Sequence, residues 1–575
     1  MNFDLLPMEN VERVEILRGT ASLLGPNSLG GAINLVTSAG PGGELTVETG
    51  SRGLAAGAAR IGTTRGAWRF TASGGHETED GWRDDMQSER SLVSARVEHL
   101  GTRAGVRLQV DAARSRAETA GSLPLSVYAV RPDSNLTAGD FEHLRQAQLA
   151  ASGFIQAVGG VVSARAWGRF SDAERFNVNQ QDDPDVRGFT GSRTFGGEAD
   201  WRATRPIGAS ALLTMRVGAG TTANHTAIEL FAERIEPGKT TDVESPIRRT
   251  DAFAIADLDI GPLTLNAGVR FDHVRVPFRN RLNPARDTTS TFEQWSPRAG
   301  AALRIADNTY VYASLGRGFR PPALIEIACA DPDEPCPLPF ALGDDPPIDP
   351  VRVTTREIGA AWANRFLRVD AAAFRSDVYD DIFLFPYEEE DEPTGSTIDG
   401  FFDNVPHTRR EGFELSADVA IGPRIDAFAT YAYTRATFRS DGIEIFSIRE
   451  VAGVENEIET ADRMPLVPDH TFTIGTTVQL TPLLDAGGTL HFVGERYLRG
   501  DEANDEDPLD PYARLDLRLG ITRDRWRVNL ALHNATNNRY AAFGTFNINQ
   551  AEDRLERFLT PGEPRAFRVA LSRLF

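Results

Sequence analysis

The sequence predicts an all-β fold: a 22-stranded antiparallel transmembrane β-barrel, with the C-terminal remnant of a plug domain inside it. Three observations predict it. Apolar and polar residues alternate with period two from about residue 44 to the end, the pattern of half-buried strands. The connections between those strands alternate short and long down the whole chain, as periplasmic turns and outer loops do in a membrane barrel. No run of 18 or more apolar residues occurs, which excludes an ordinary membrane helix but not strands that cross a membrane.

Each element follows in chain order. Residues 1–43 contain "VERVEILRGTASLLGPNSLGGAINLVT" (11–37), short apolar runs broken by glycine turns. A barrel of 22 strands is wide enough to need a plug, and this stretch stands where a plug would be. Residues 44–575 form the barrel. In "VRLQVDA", Val106, Leu108 and Val110 oppose Arg107, Gln109 and Asp111; "GFELSADVAI" (412–421) and "YARLDLRLGI" (512–521) alternate in the same way. Ten short turns, among them "GTRAG" (101–105), "GP" (261–262), "GPR" (422–424) and "RDR" (523–525), pair the strands, and a tight outer turn near Ser51–Gly53 starts the series. Longer polar loops are expected at 115–147, 220–250, 318–354, 379–408, 438–469 and 535–565. That leaves roughly two dozen residues per strand and connection, against the ~9–11 a tilted spanning strand needs. The final stretch, "FRVALSRLF", puts Phe567, Val569, Leu571 and Phe575 on one face.

Composition narrows the function. The net charge of −21 argues against a nucleic-acid partner. The acid is clumped at 180–185, 344–350, 388–393 and 501–511; such clumps are expected to be solvated loops, the alternative being capture of a cation. Nine histidines are scattered with no matching serine motif, so an enzyme is not expected. Cys329 and Cys336, in "CADPDEPC", have no histidine nearby to complete a zinc site. A local disulfide in an oxidising compartment fits them better; the alternative is two free thiols.

Taken together these stretches resemble the TonB-dependent outer-membrane receptors, over about residue 9 to Phe575. "VERVEILRG…GPNSLGGAINLVT" is similar to the last third of their plug. "SPRAGAALRIADNTYVYASLGRGFRPPAL" (296–324), "REGFELSADV" (410–419) and "LDLRLGI…WRVNLALHNATNNRY" (515–540) are similar to stretches of their barrel. The resemblance implies active transport of a scarce ligand, with a ferric siderophore or other iron chelate as the expected cargo. Cobalamin, another metal chelate or an oligosaccharide are the alternatives, and a passive pore is the rival of a different class. It implies the outer membrane of a Gram-negative bacterium, no resident cofactor, and a monomer. The implied partners are the TonB–ExbB–ExbD complex, the barrel-assembly machinery and outer-membrane lipid.

The resemblance also implies site residues. Arg18, in "LRG", matches a plug arginine that pairs with barrel glutamates, and Glu357 and Glu414 match those glutamates. Alternation agrees on direction: Ile358, Ala360 and Trp362 face outward, so Glu357 faces the lumen, and Phe413 and Leu415 do the same for Glu414. A buried lock of this kind would cost ~3–5 kcal/mol to break. The family's clipped outer loop is the expected role of Cys329 and Cys336. Phe575, with Leu571, Val569 and Phe567, resembles the C-terminal signal offered to the assembly machinery, although Arg573 stands where an aromatic is usual. Phe319, Arg320, Phe385, Tyr387 and Phe401 flank long loops, where they would meet a chelate or form an interfacial girdle. "MNFDLLPMENVERVE" has no basic start and no apolar core. A signal peptide, the TonB box and most of the plug are therefore expected upstream, the start being a misplaced codon, a pseudogene end or an assembly break.

Overall fold

A computed structural model describes residues 5, 10–20, 25, 28–38, 40–178, 184–234, 237–324, 326, 336–337, 349–386, 399–444, 457–549, 552 and 554–575. Twenty-two antiparallel strands, from Gly42–Gly50 to Ala566–Leu574, hydrogen-bond in sequence order and close into a ring. The last strand pairs with the first, Leu574 opposite Glu44 and Val569 opposite Thr49. The Phe575 N–H donates to the Gly43 carbonyl (3.0 Å) and the Gly43 N–H to the Phe575 carbonyl (2.8 Å). The first strand begins at Gly42, two residues before the alternation suggested.

The burial is inverted relative to a water-soluble barrel. Val106, Leu108 and Val110 stand about half exposed on the outside, while Glu98 on the neighbouring strand is almost fully buried inside and paired with Arg107. Apolar-out and polar-in suits a strand that meets hydrocarbon on one face and a polar lumen on the other. Phe567 and Leu571 lie on this exposed outer face. Trp68 and Trp526, each beside a short turn, are exposed there too, as an aromatic girdle requires.

The ten short turns fall where expected. Several long connections do not. Residues 220–250 are mostly strand: Ala211–Glu233 and Gly238–Ile260 run on past any membrane and pair almost to their tips. The polar Thr, Asn and Glu that suggested a loop are strand residues above the lipid, where water meets both faces. In 535–565 a hairpin, Ala541–Asn549 with Arg554–Pro561, adds the short strand Leu123–Pro124 as a third. It buries Leu498, Leu509, Phe546 and Leu559 together, so loops distant in sequence share one small core. The acidic stretch 501–511 belongs to this assembly. Asp501 and Glu502 are buried, and Asp501 carboxylate oxygens accept the Asp505 and Glu506 N–H groups; the clump begins as a built turn, while Asp505, Asp507 and Asp510 are exposed as expected of a solvated loop. The 388–393 clump and most of 180–185 and 344–350 lie outside the described residues, as does Cys329 and hence the expected disulfide. Cys336 and Pro337 pair with Gly400 and Asp399.

Inside the outer mouth, Val243, Val274, Val276 and Phe278 gather with Phe319 and Leu324. Phe319 is therefore a core residue, neither girdle nor free contact. Arg320 is held by Glu326 at 2.6 Å. Tyr387 and the side chains of Phe385 and Phe401 lie outside the described residues.

Candidate functional site

The site is the seam between the N-terminal segment and the barrel wall. Val11–Arg18 and Gly31–Thr37 pair antiparallel, Ile16 opposite Ile33 and Arg18 opposite Gly31. Two glycines shape this pair. Gly19 has φ +69°, and Gly31 has φ +149° with the Leu17 carbonyl only 2.4 Å from where a Cβ would stand. Both conformations are cheap for glycine and strained for other residues.

One end of the pair rests on the wall formed by strands Thr309–Arg320, Val351–Ala363, Leu367–Pro386 and Asp399–Ile421. Arg18 Nε lies 3.1 Å from Glu414 Oε2. Glu357 stands beside this pair rather than in it: its Oε1 accepts the Tyr312 hydroxyl at 2.6 Å, and its Oε2 packs against Gly19. Thr20 is buried against Gly316. Farther up, Leu29 packs on Val351, Val353 and Val378.

The other end rests on the far side of the ring. Arg96 Nη1 donates to Thr37 Oγ1 (2.7 Å) and Arg60 Nη2 to Ser38 Oγ (2.8 Å). Arg96 also donates to the Ser38 carbonyl, and the Asn10 amide donates to Ser73. The strand pair thus bridges the lumen and is fixed at both ends by polar contacts.

The energetics differ from the expectation of a buried lock. The Arg18 and Glu414 side chains keep 43 % and 35 % of their surface exposed. An ion pair so open to water contributes ~0–1 kcal/mol. Gly19 carries the larger local penalty: any Cβ there meets left-handed strain of ~1–2 kcal/mol and comes 3.3 Å from Glu357 Oε2. Gly19→Val is therefore expected to loosen the seam more than Arg18→Ala. Protease sensitivity of residues 11–37 in the folded barrel measures this, and equal or reversed sensitivities would contradict it.

Sequence reading singled out Arg18, Glu357 and Glu414 and missed Tyr312, Gly19, Arg60 and Arg96. Parity was the available signal. Arg96 and Glu98 alternate against Val97, so the lumen-facing arginine was legible; its partner Thr37, on a separate element, was not.

The family sequence model described as "TonB dependent receptor-like, beta-barrel" matches residues 32–535. The catecholate siderophore receptor Fiu of Escherichia coli (strain K12) is 23 % identical over 348 residues, 56 % of this chain and 41 % of Fiu. The probable TonB-dependent siderophore receptor PiuA of Acinetobacter baumannii is 24 % identical over 340 residues, with the same coverages. This chain thus spans about two-fifths of those relatives' length. The vitamin B12 transporter BtuB of Photobacterium profundum is 22 % identical over 439 residues, 73 % of this chain and 62 % of BtuB. Among solved structures, PiuA superposes with a TM-score of 0.81 at 17 % identity, over 99 % of this chain and 87 % of that one. The ferric citrate transporter FecA gives 0.79 at 16 %, over 99 % and 85 %. These structures share the fold. The chain belongs to the TonB-dependent receptor-like β-barrel family, a family of transporters rather than enzymes, and is a protein of the Gram-negative outer membrane.

Proposed function

We propose that this chain is the barrel and partial plug of a receptor that imports a ferric siderophore or related iron chelate, driven through TonB–ExbB–ExbD. The observation that carries the reading is the strand pair fixed across the lumen by several contacts, each modest by itself. A bar of that kind stands in the path through the lumen and yields to a directed pull. Arg18 and Glu414 are the proposed lock, with Glu357 seating Gly19. Phe575 and the outward Phe567, Val569 and Leu571 are the proposed assembly signal, Cys329 and Cys336 a proposed loop clip, and the monomer is the proposed functional unit.

Two relatives named as siderophore receptors support an iron chelate as cargo. The wide match to a vitamin B12 transporter supports cobalamin as the second reading. Quenching of intrinsic tryptophan fluorescence separates them on the purified barrel. A ferric catecholate is expected to bind at least ~10-fold tighter than cobalamin, a gap of about 1.4 kcal/mol. Tighter cobalamin binding would reverse the assignment.

A further inference from the structure

The strand Gly160–Asn177 carries three arginines on its lumen face, and they are partnered differently. Phe170 is exposed on the outside with Leu149 and Phe195, so Arg165, Trp167, Arg169 and Arg175 point inward. Arg165 Nη2 lies 2.7 Å from Glu198 Oε2, directly across one strand boundary. Arg175 Nη2 lies 2.5 Å from Glu142 Oε1, directly across the other. Arg169 stands between Gln148 and Thr194, an amide and a hydroxyl, and among the described residues it holds no carboxylate.

The wall around Arg169 is neutral and rich in hydrogen-bonding groups. Its own row runs Gln148, Arg169, Thr194, Asn224. The Ser192 and Thr194 hydroxyls donate to Asn224 Oδ1 at 2.9 and 3.1 Å, and the Asn224 amide donates to Thr226 at 3.2 Å. These groups are therefore held in place before any ligand arrives, which lowers the cost of binding. Below Arg169, Trp167 packs against Gly196, where any Cβ would meet the indole ring. The missing side chain lets the indole lie close to the wall.

Height and plug contacts place this patch in the open part of the lumen. Arg169 lies nine residues above Gly160, and Glu414 lies seven above Ile421, each counted from a short turn. At ~3.3 Å per residue and a tilt of about 40°, these rise roughly 23 Å and 18 Å. Arg169 thus stands just above the seam, on the side of the long loops. The N-terminal strand pair reaches Ser73 and Arg96 on one side of this wall, and Gly25 approaches Arg249 on the other. Among the described residues, none of its hydrogen bonds falls on the strands from Phe141–Ala157 to Ala211–Glu233.

Three chemical capacities meet here. A guanidinium whose charge no carboxylate cancels offers five N–H donors to an anion. Amides and hydroxyls bond to oxygen. An indole accepts an aromatic ring against it. A ferric tris-catecholate has all three matching features: net negative charge, oxygen at the metal and aryl rings. A ferric tris-hydroxamate is uncharged and needs no ring. We propose that Arg169, with the neutral wall around it, is a specificity-determining site that selects an anionic catecholate chelate over an uncharged one. This rests on the reading of the chain as an importer of an iron chelate, and adds the charge class of that chelate.

The test is equilibrium binding to the purified, folded protein, followed by tryptophan fluorescence, with iron(III) tris-catecholate and iron(III) tris-hydroxamate as the two probes. The wild type is expected to prefer the tris-catecholate. Arg169→Gln is expected to lose at least ~10-fold in affinity for it, with less than ~2-fold change for the tris-hydroxamate. Arg169→Lys, which keeps the charge, is expected to recover most of the loss. Arg165→Gln/Glu198→Gln removes a neighbouring cation together with its carboxylate and is expected to leave the preference unchanged. Unchanged heat-modifiable mobility checks the fold of each variant. Several results overturn the site while leaving iron-chelate import standing: a wild type that prefers the tris-hydroxamate, an Arg169→Gln variant that keeps its affinity for the tris-catecholate or loses both probes equally, and an equal loss in Arg165→Gln/Glu198→Gln. A wild type that binds neither probe overturns both readings.

Discussion

Arg270→Ala is expected to destabilise the folded barrel by about 3–5 kcal/mol, the cost of stranding buried charge. Arg270 is 2 % exposed inside the lumen wall, and its guanidinium lies 2.8 Å from Asp251 and 3.0 Å from Asp272, side chains that are 2 % and 1 % exposed. Asp251 and Asp272 face each other directly across two strands. Without the guanidinium, two desolvated carboxylates oppose one another, and among the described residues Arg249, 3.4 Å from Asp251, is the cation left to offset them. Urea unfolding monitored by heat-modifiable mobility gives the size of the loss. The control is the triple variant Arg270→Ala/Asp251→Ala/Asp272→Ala. Removing all three charges is expected to cost less than removing Arg270 alone, because no carboxylate is then left unpaired. A triple variant as unstable as the sum of its parts would show that packing, not charge, makes Arg270 necessary.

The second large effect is expected at Gly412. A Cβ there would stand 1.9 Å from the Tyr433 carbonyl oxygen, a backbone atom that cannot swing aside. Gly412→Ala must therefore part the strands Asp399–Ile421 and Ile425–Phe438 two residues from Glu414, the wall partner of Arg18. Overpacking of this kind costs ~1–3 kcal/mol or more. Because the strain falls beside the seam, the protease sensitivity of residues 11–37 should rise together with the loss of stability. A destabilised variant whose seam stays fully protected would separate the two.

The fold was legible because a membrane barrel repeats one rule in every strand. Alternation set the faces, and the chain-long contrast of short and long connections set which end was which. The misses share a cause. Residues 220–250 look like a loop because strands above the lipid no longer need an apolar face, so alternation fades while pairing continues. The three-stranded sheet that joins 123–124 to the hairpin at 541–561 depends on contacts across more than 400 residues, and no local pattern announces them. At the seam, parity placed Glu357 and Glu414 on the lumen face, but which of them Arg18 meets is decided by the turn at Gly19, a geometric fact below the resolution of a residue pattern. The exposure of that ion pair, and hence its modest energy, was equally invisible. The lumen arginines of Gly160–Asn177 were visible one by one, yet the cross-strand register is what sets Arg169 against Gln148 and Thr194 instead of a carboxylate.

Energised import of an iron chelate through this barrel is measured by uptake of radiolabelled ferric chelates into the native host. Cells with and without the gene are compared under iron limitation, before and after an uncoupler collapses the proton-motive force. Saturable accumulation of at least one ferric chelate, lost both on deletion and on uncoupling, is expected. Uptake that survives uncoupling, or that is unchanged by deletion for every ferric chelate while cobalamin uptake falls, would contradict it.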